Sequence, residues 1–137
     1  MPLGNVLGEF TYHATSVTVT DLGGGRNRAE LNLVGEATGA VPGKLLGTLI
    51  LEGNGPGRPQ SFTGTGFLFA AEGAVVRFST CGAGMRTGDG HKSRYRGTVS
   101  QTTEAPQLAA FNNLIAATEF EADPITLAIK GVVCEWK

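Results

Sequence analysis

Residues 61–80 read SFTGTGFLFAAEGAVVRFST. The first run, Ser61–Ala71, carries Phe62, Phe67 and Phe69, and the second, Ala74–Thr80, carries Val75, Val76 and Phe78. Glu72-Gly73 stands between them as a tight turn. Two aromatic and β-branched runs joined by a short glycine-containing turn are the signature of a β-hairpin. Within the first run, Gly64-Thr65-Gly66 marks a bend or bulge, where a barrel turns a corner or another backbone approaches.

The same alternation extends in both directions. Phe10–Thr20 is a strand rich in β-branched residues, closed by Gly23-Gly24-Gly25. Arg28–Thr38 sets Leu31 and Leu33 on one face, with Glu30 and Asn32 on the other. Val41-Pro42-Gly43 is a turn, and the largely apolar Lys44–Glu52 is a strand covered on both faces. Residues 53–59, GNGPGRP, form a loop by composition. Gly82–Gly90, with four glycines, reads as a mobile loop, and Ser93–Thr102 as the next strand. In Pro106–Ala117 the spacing of Leu108, Phe111, Leu114 and Ile115 predicts a short helix that begins at a proline. The competing reading is a loop followed by a strand, because Ile115–Glu121 also alternates. Ile125–Trp136 is the last strand. Seven or eight strands with short connections predict an antiparallel sheet that hides its edges by closing into a barrel, with a β-sandwich as the alternative. No helices alternate with the strands, which excludes a doubly wound α/β fold.

At 137 residues the chain is one domain, 1–137, with enough length for a single core. Charged residues are 17%, below the usual share of about 25%, as suits a sheet rich in glycine and threonine. A net charge of −1 gives no field that would draw nucleic acid or an anionic membrane. The start, Met1-Pro2-Leu3-Gly4-Asn5, has no basic region followed by an apolar core, so a cytoplasmic location is expected. Cys81 and Cys134 are then reduced thiols in that compartment.

No cofactor or metal is expected. His13 and His91 lack the carboxylate or cysteine spacing of a metal site. The Gly-x-Gly patterns do not open a helix after a strand, which removes the dinucleotide reading, and no Gly-x-Ser-x-Gly elbow is present. Five of the eleven basic residues, Arg77, Arg86, Lys92, Arg94 and Arg96, fall within twenty positions and flank Tyr95. They form either an anion-binding rim at a barrel mouth or a solvated strand face. Arg77 stands between Val76 and Phe78, so it either faces solvent or is a buried cation in need of an anion. Glu119 and Glu121 share one face and are its candidate partners. If the chain has a site, it belongs at the barrel end that receives the Gly82–Gly90 loop.

Tyr95-Arg96-Gly97, the run from Ala105-Pro106 through Phe111-Asn112-Asn113-Leu114-Ile115, Thr118–Glu121 and the closing Val132–Trp136 resemble the C-terminal half of a family of small bacterial β-barrels of unknown function. A looser similarity is to allene-oxide-cyclase-like and dirigent-like barrels, which guide reactive apolar intermediates. These likenesses imply a barrel and no specific chemistry. The aromatic supply, with few convergent polar groups, points to binding of a small, mostly apolar or weakly anionic molecule in the barrel interior or mouth. The residues expected to take part are Arg77, Arg94, Tyr95, Glu119, Phe67, Phe69 and Phe111. The alternatives are an isomerase or cyclase with its active site in the barrel, and a self-assembling protein without a ligand. The apolar Leu45–Leu51 stretch suggests a homodimer.

Overall fold

The computed structural model describes residues 3–88 and 90–136. Met1-Pro2 of the N-terminal reading and Asp89 of the expected loop lie outside the described residues. Eight antiparallel strands close into a barrel in sequence order: β1 (Leu3–Gly23), β2 (Arg26–Gly39), β3 (Gly43–Gly53), β4 (Gln60–Ala70), β5 (Val75–Arg86), β6 (Ser93–Thr103), β7 (Ile115–Asp123) and β8 (Ala128–Trp136). Closure is made by β1 against β8, from Leu3↔Trp136 to His13↔Ala128. The predicted hairpin is present as β4 and β5, paired from Gln60↔Gly84 to Phe69↔Val75. Its turn, Ala71–Gly73, holds both Glu72 (φ 60°) and Gly73 (φ 74°) in the left-handed region.

One expectation is corrected, and the expected short helix is present with an earlier end. Gly82–Arg86 is the second half of β5, not a loop, and the connection to β6 is confined to residues 87–92. The helix is a 3₁₀ helix that ends at Asn113, and Ile115–Asp123 forms β7, as in the competing reading.

The misread glycines serve the interior. An eight-stranded barrel has room for its own side chains and at most one small ligand, so a large ring needs an empty place beside it. Phe62 lies opposite Gly82, which in turn lies opposite Gly97. A Cβ on Gly82 or Gly97 would come within 2.7 or 2.8 Å of the Phe62 ring. Tyr95 faces Gly84, Phe120 faces Gly131, Phe78 faces Gly66 and Tyr12 faces Gly35 in the same way. The Tyr95, Phe78 and Tyr12 rings lie over their cross-strand glycines, and the place at Gly131 is taken by the Phe120 Cβ and the Phe10 ring.

The core has two layers. One comprises Ala14, Leu31, Leu33, Leu49, Phe62, Tyr95, Phe120, Ala122 and Ile129. The other is Leu45, Leu68 and Val76, against which Val41 and Leu108 pack. Val41 sits in the β2–β3 connection and Leu108 in the 3₁₀ helix between β6 and β7, so both close the same barrel end. The opposite end carries the β1–β2, β3–β4, β5–β6 and β7–β8 connections and stays open.

Candidate functional site

The open end holds a cavity of about 290 Å³. Its walls are largely apolar: Val19, Ala29, Leu31, Leu51, Leu127 and Ile129. Its polar groups come from five strands and one connection: Asn27, Gln60, Arg86, His91, Ser93, Tyr95 and Asp123. An apolar chamber with a few convergent polar groups is the usual make-up of a ligand site.

Tyr95 forms the floor. Strand alternation turns it inward, and its ring stacks on Phe120 at 4.9 Å and 18°. Phe62 meets both rings edge-on, at 5.0 Å from Phe120 and 5.7 Å from Tyr95. The Tyr95 hydroxyl donates to Gln60 Oε1 at 2.5 Å. Burial pushes the Tyr95 phenol above its ordinary range, while the Ser93 hydroxyl works in the opposite direction. At neutral pH Tyr95 therefore keeps its proton and acts as a donor.

The wall beside the floor is strained. Leu127 adopts φ 62°, an uncommon conformation for a residue with a branched side chain. The turn that imposes it is held by Leu127 N–H donating to Asp123 O at 2.8 Å and by Ile125 N–H donating to Asp123 Oδ1 at 2.9 Å. The Ile125 amide foremost, then the Thr126 amide and the Lys92 charge, hold the Asp123 carboxyl below its usual range. The turn thereby aims Leu127 into the cavity and against the first core layer.

Beneath the floor lies an inner chamber of about 130 Å³, bordered by Phe10, Tyr12, Leu33, Leu49, Phe78 and Phe120. Ile129 lines both spaces. Burial raises the pKa of Tyr12 well above the ordinary phenol range. Two larger crevices open to solvent, one of about 610 Å³ against the connections of the plugged end and one of about 560 Å³ on the outer wall.

The structure disperses the residues singled out from the sequence. Tyr95 alone reaches the mouth. Phe67 and Phe69 face outward and are about two-fifths exposed, and the Arg77 guanidinium lies 5.7 Å over the Phe67 ring. Arg77 is thus a solvent-face cation and borders both larger crevices. Arg94 and Arg96 lie on the outer face of β6 and pair with Glu119 at 3.6 and 3.5 Å, and Lys92 pairs with Glu121 at 3.5 Å. Phe111 belongs to the 3₁₀ helix and borders a small crevice at the closed end with Leu7, Val41 and Leu68. Leu45 and Leu49 point into the core, so only Leu46 of that stretch is exposed as a large apolar side chain. Cys134 is buried, Cys81 is exposed and both are free thiols. Sequence reasoning missed Gln60, Asn27 and Asp123, which sit at strand ends where alternation carries no signal.

No protein-family model matches the chain, and no curated protein matches it in sequence. Its fold is shared with solved bacterial proteins of unknown function. One from Clostridium acetobutylicum has a TM-score of 0.80 at 13% identity, covering 96% of this chain and 98% of that one. One from Rhodopseudomonas palustris has a TM-score of 0.80 at 14% identity, covering 95% and 94%. An enzyme from Penicillium herquei has the same architecture, with a TM-score of 0.64 at 13% identity and coverage of 98% and 97%. These likenesses establish the barrel fold.

Proposed function

We propose that the protein binds a small, mostly apolar molecule with a weakly anionic or hydrogen-bonding head group at the open mouth of the barrel. The observation that carries this reading is the Tyr95–Gln60 pair on the floor of a cavity whose walls are apolar. The apolar body packs against Leu31, Leu51, Leu127 and Ile129. The head takes the Tyr95 or Ser93 hydroxyl below, or Arg86 and His91 at the rim. The plugged far end gives the ligand one route in and out.

The second reading is an isomerase- or cyclase-type enzyme at the same mouth. It is favoured by the enzyme among the similar barrels and by Tyr95 as a buried proton donor. The raised phenol pKa keeps Tyr95 protonated near neutral pH, so it serves as a hydrogen-bond donor to a substrate oxygen, not as a base, and is a weak general acid.

The test is a fluorescence titration with 1-anilinonaphthalene-8-sulfonate and its competition by aryl-alkanoic acids. The Arg86→Met variant keeps the stem and should weaken an aryl acid about ten- to hundredfold, the worth of one charge-assisted hydrogen bond. It should leave the corresponding amide less affected. Saturable binding that is equal in wild type, Arg86→Met and Tyr95→Phe would remove the mouth from consideration.

A further inference from the structure

Residues 15–21 of β1 have a strand neighbour on one side only. The ladder to β8 ends at His13↔Ala128, whereas the ladder to β2 runs on through Val17↔Leu31 and Val19↔Ala29 to Gly23↔Arg26. The β7–β8 connection covers one residue more, through Ala14 N–H donating to Leu127 O at 3.0 Å. Beyond that point, among the described residues, no backbone hydrogen bond except those to β2 reaches residues 15–22. Residues 15–25 are all exposed, and Val19 is 69% exposed even though it faces the same side as inward-pointing Ala29.

An open strand edge is a template for pairing. Proteins that must avoid pairing blunt such edges with lysine, proline, inward charges or bulges. Ser16-Val17-Thr18-Val19-Thr20 contains no charge and no proline. The two register shifts of the β1–β2 ladder fall at its ends, between Ala14 and Ser16 and between Asp21 and Gly23, which leaves the stretch regular. The stretch is also symmetric about Thr18: valine on each side, then a small hydroxyl residue on each side. In antiparallel self-pairing about that centre, Val17 meets Val19, Thr18 meets Thr18, Ser16 meets Thr20 and Asp21 meets Thr15. No like charges oppose one another, and β-branched and Thr–Thr cross-strand pairs are favourable.

We propose that this edge pairs with the same edge of a second copy of the chain, antiparallel about a two-fold axis at Thr18. The two β1 strands then join one sheet running from barrel to barrel, and each Val17–Val19 contact lies on the mouth side of the wall, next to the cavity that Val19 lines. An interface of this kind is isologous and closed, so it yields a dimer and not a filament.

The experiment is a charge swap on the axis. Thr18 lies on the outer face opposite Glu30, so Thr18→Lys and Thr18→Glu leave the barrel core untouched. Wild type should run as a dimer in light scattering at high micromolar concentration. Each variant should run as a monomer with unchanged far-UV circular dichroism, because like charges meet across the axis. A one-to-one mixture should dimerise again as a mixed species. A monomeric wild type overturns the proposal. A dimer that persists in both variants also overturns it and places the interface elsewhere.

Discussion

At the residue scale, glycine decides how the barrel is filled. Gly97 lies on the inner wall, where a Cβ would meet the Phe62 ring at 2.8 Å and the Cys81 backbone closer still. Gly97→Ala should therefore cost about 2–3 kcal/mol, at the upper end of what overpacking a core costs. Gly90 in the β5–β6 connection has nothing within 4 Å of that position, so Gly90→Ala should lie within about 0.5 kcal/mol of wild type. Urea denaturation of both variants checks the contrast. Glycines in this sequence look alike as punctuation, and Gly82–Gly90 was read as one loop for that reason. The distinguishing signal was the two-residue spacing of Gly64-Thr65-Gly66 and Gly82-Ala83-Gly84, which puts both glycines of each pair on one face of a strand. The outward direction of Phe67 and Phe69 was legible in the same arithmetic, since they differ from Phe62 in parity. The two inward-facing tyrosines, Tyr95 buried and Tyr12 partly buried, set a pH limit as well. Burial raises both phenols, whereas unfolded phenols ionise near pH 10. Above that pH the unfolded state holds fewer protons, so stability is whole below about pH 10 and falls as pH rises. At pH 11 the strongly shifted Tyr12 phenol should cost about 1.4 kcal/mol. Tyr12→Phe should lose less stability than wild type between pH 8 and pH 11 in urea titrations.

At the element scale, the two barrel ends differ because their connections differ. The closed end is plugged by Leu108 and Val41, which pack on the second core layer. Leu108 is partly buried, so Leu108→Ala should cost about 1–2 kcal/mol, less than the 2–5 kcal/mol typical of a fully buried leucine. It should leave ligand binding at the other end unchanged, which separates plug from mouth; thermal unfolding and the fluorescence titration read the two effects. The helix carrying Leu108 was legible from Pro106 and the three- and four-residue spacing that follows. Its end was not, because Ile115 fits both the helical spacing and the alternation of β7, and the β6 and β8 ladders settle the contest in favour of the strand. The hairpin of β4 and β5 was legible because its turn residues and both apolar runs agree.

At the scale of the whole molecule, strand number and alternation predict a closed barrel, and the site depends on which end the connections leave open. That asymmetry is set by contacts distant in sequence: Leu108 on the second core layer, Gln60 on Tyr95, Leu127 on the first core layer. Sequence patterns report neighbours two to four residues apart and carry none of these. The central claim is that ligand enters by the open mouth and rests on the Tyr95 floor. The direct measurement is an amide shift titration of the ¹⁵N-labelled protein with an aryl-alkanoic acid. Saturable shifts are expected at the mouth-side strand ends and connections, around Asn27, Gln60, Arg86, Ser93 and Leu127, with Val41, Leu108 and the outer-wall residues Phe67 and Arg77 unmoved. Saturable shifts centred on Phe67 and Arg77, with the mouth silent, would contradict it.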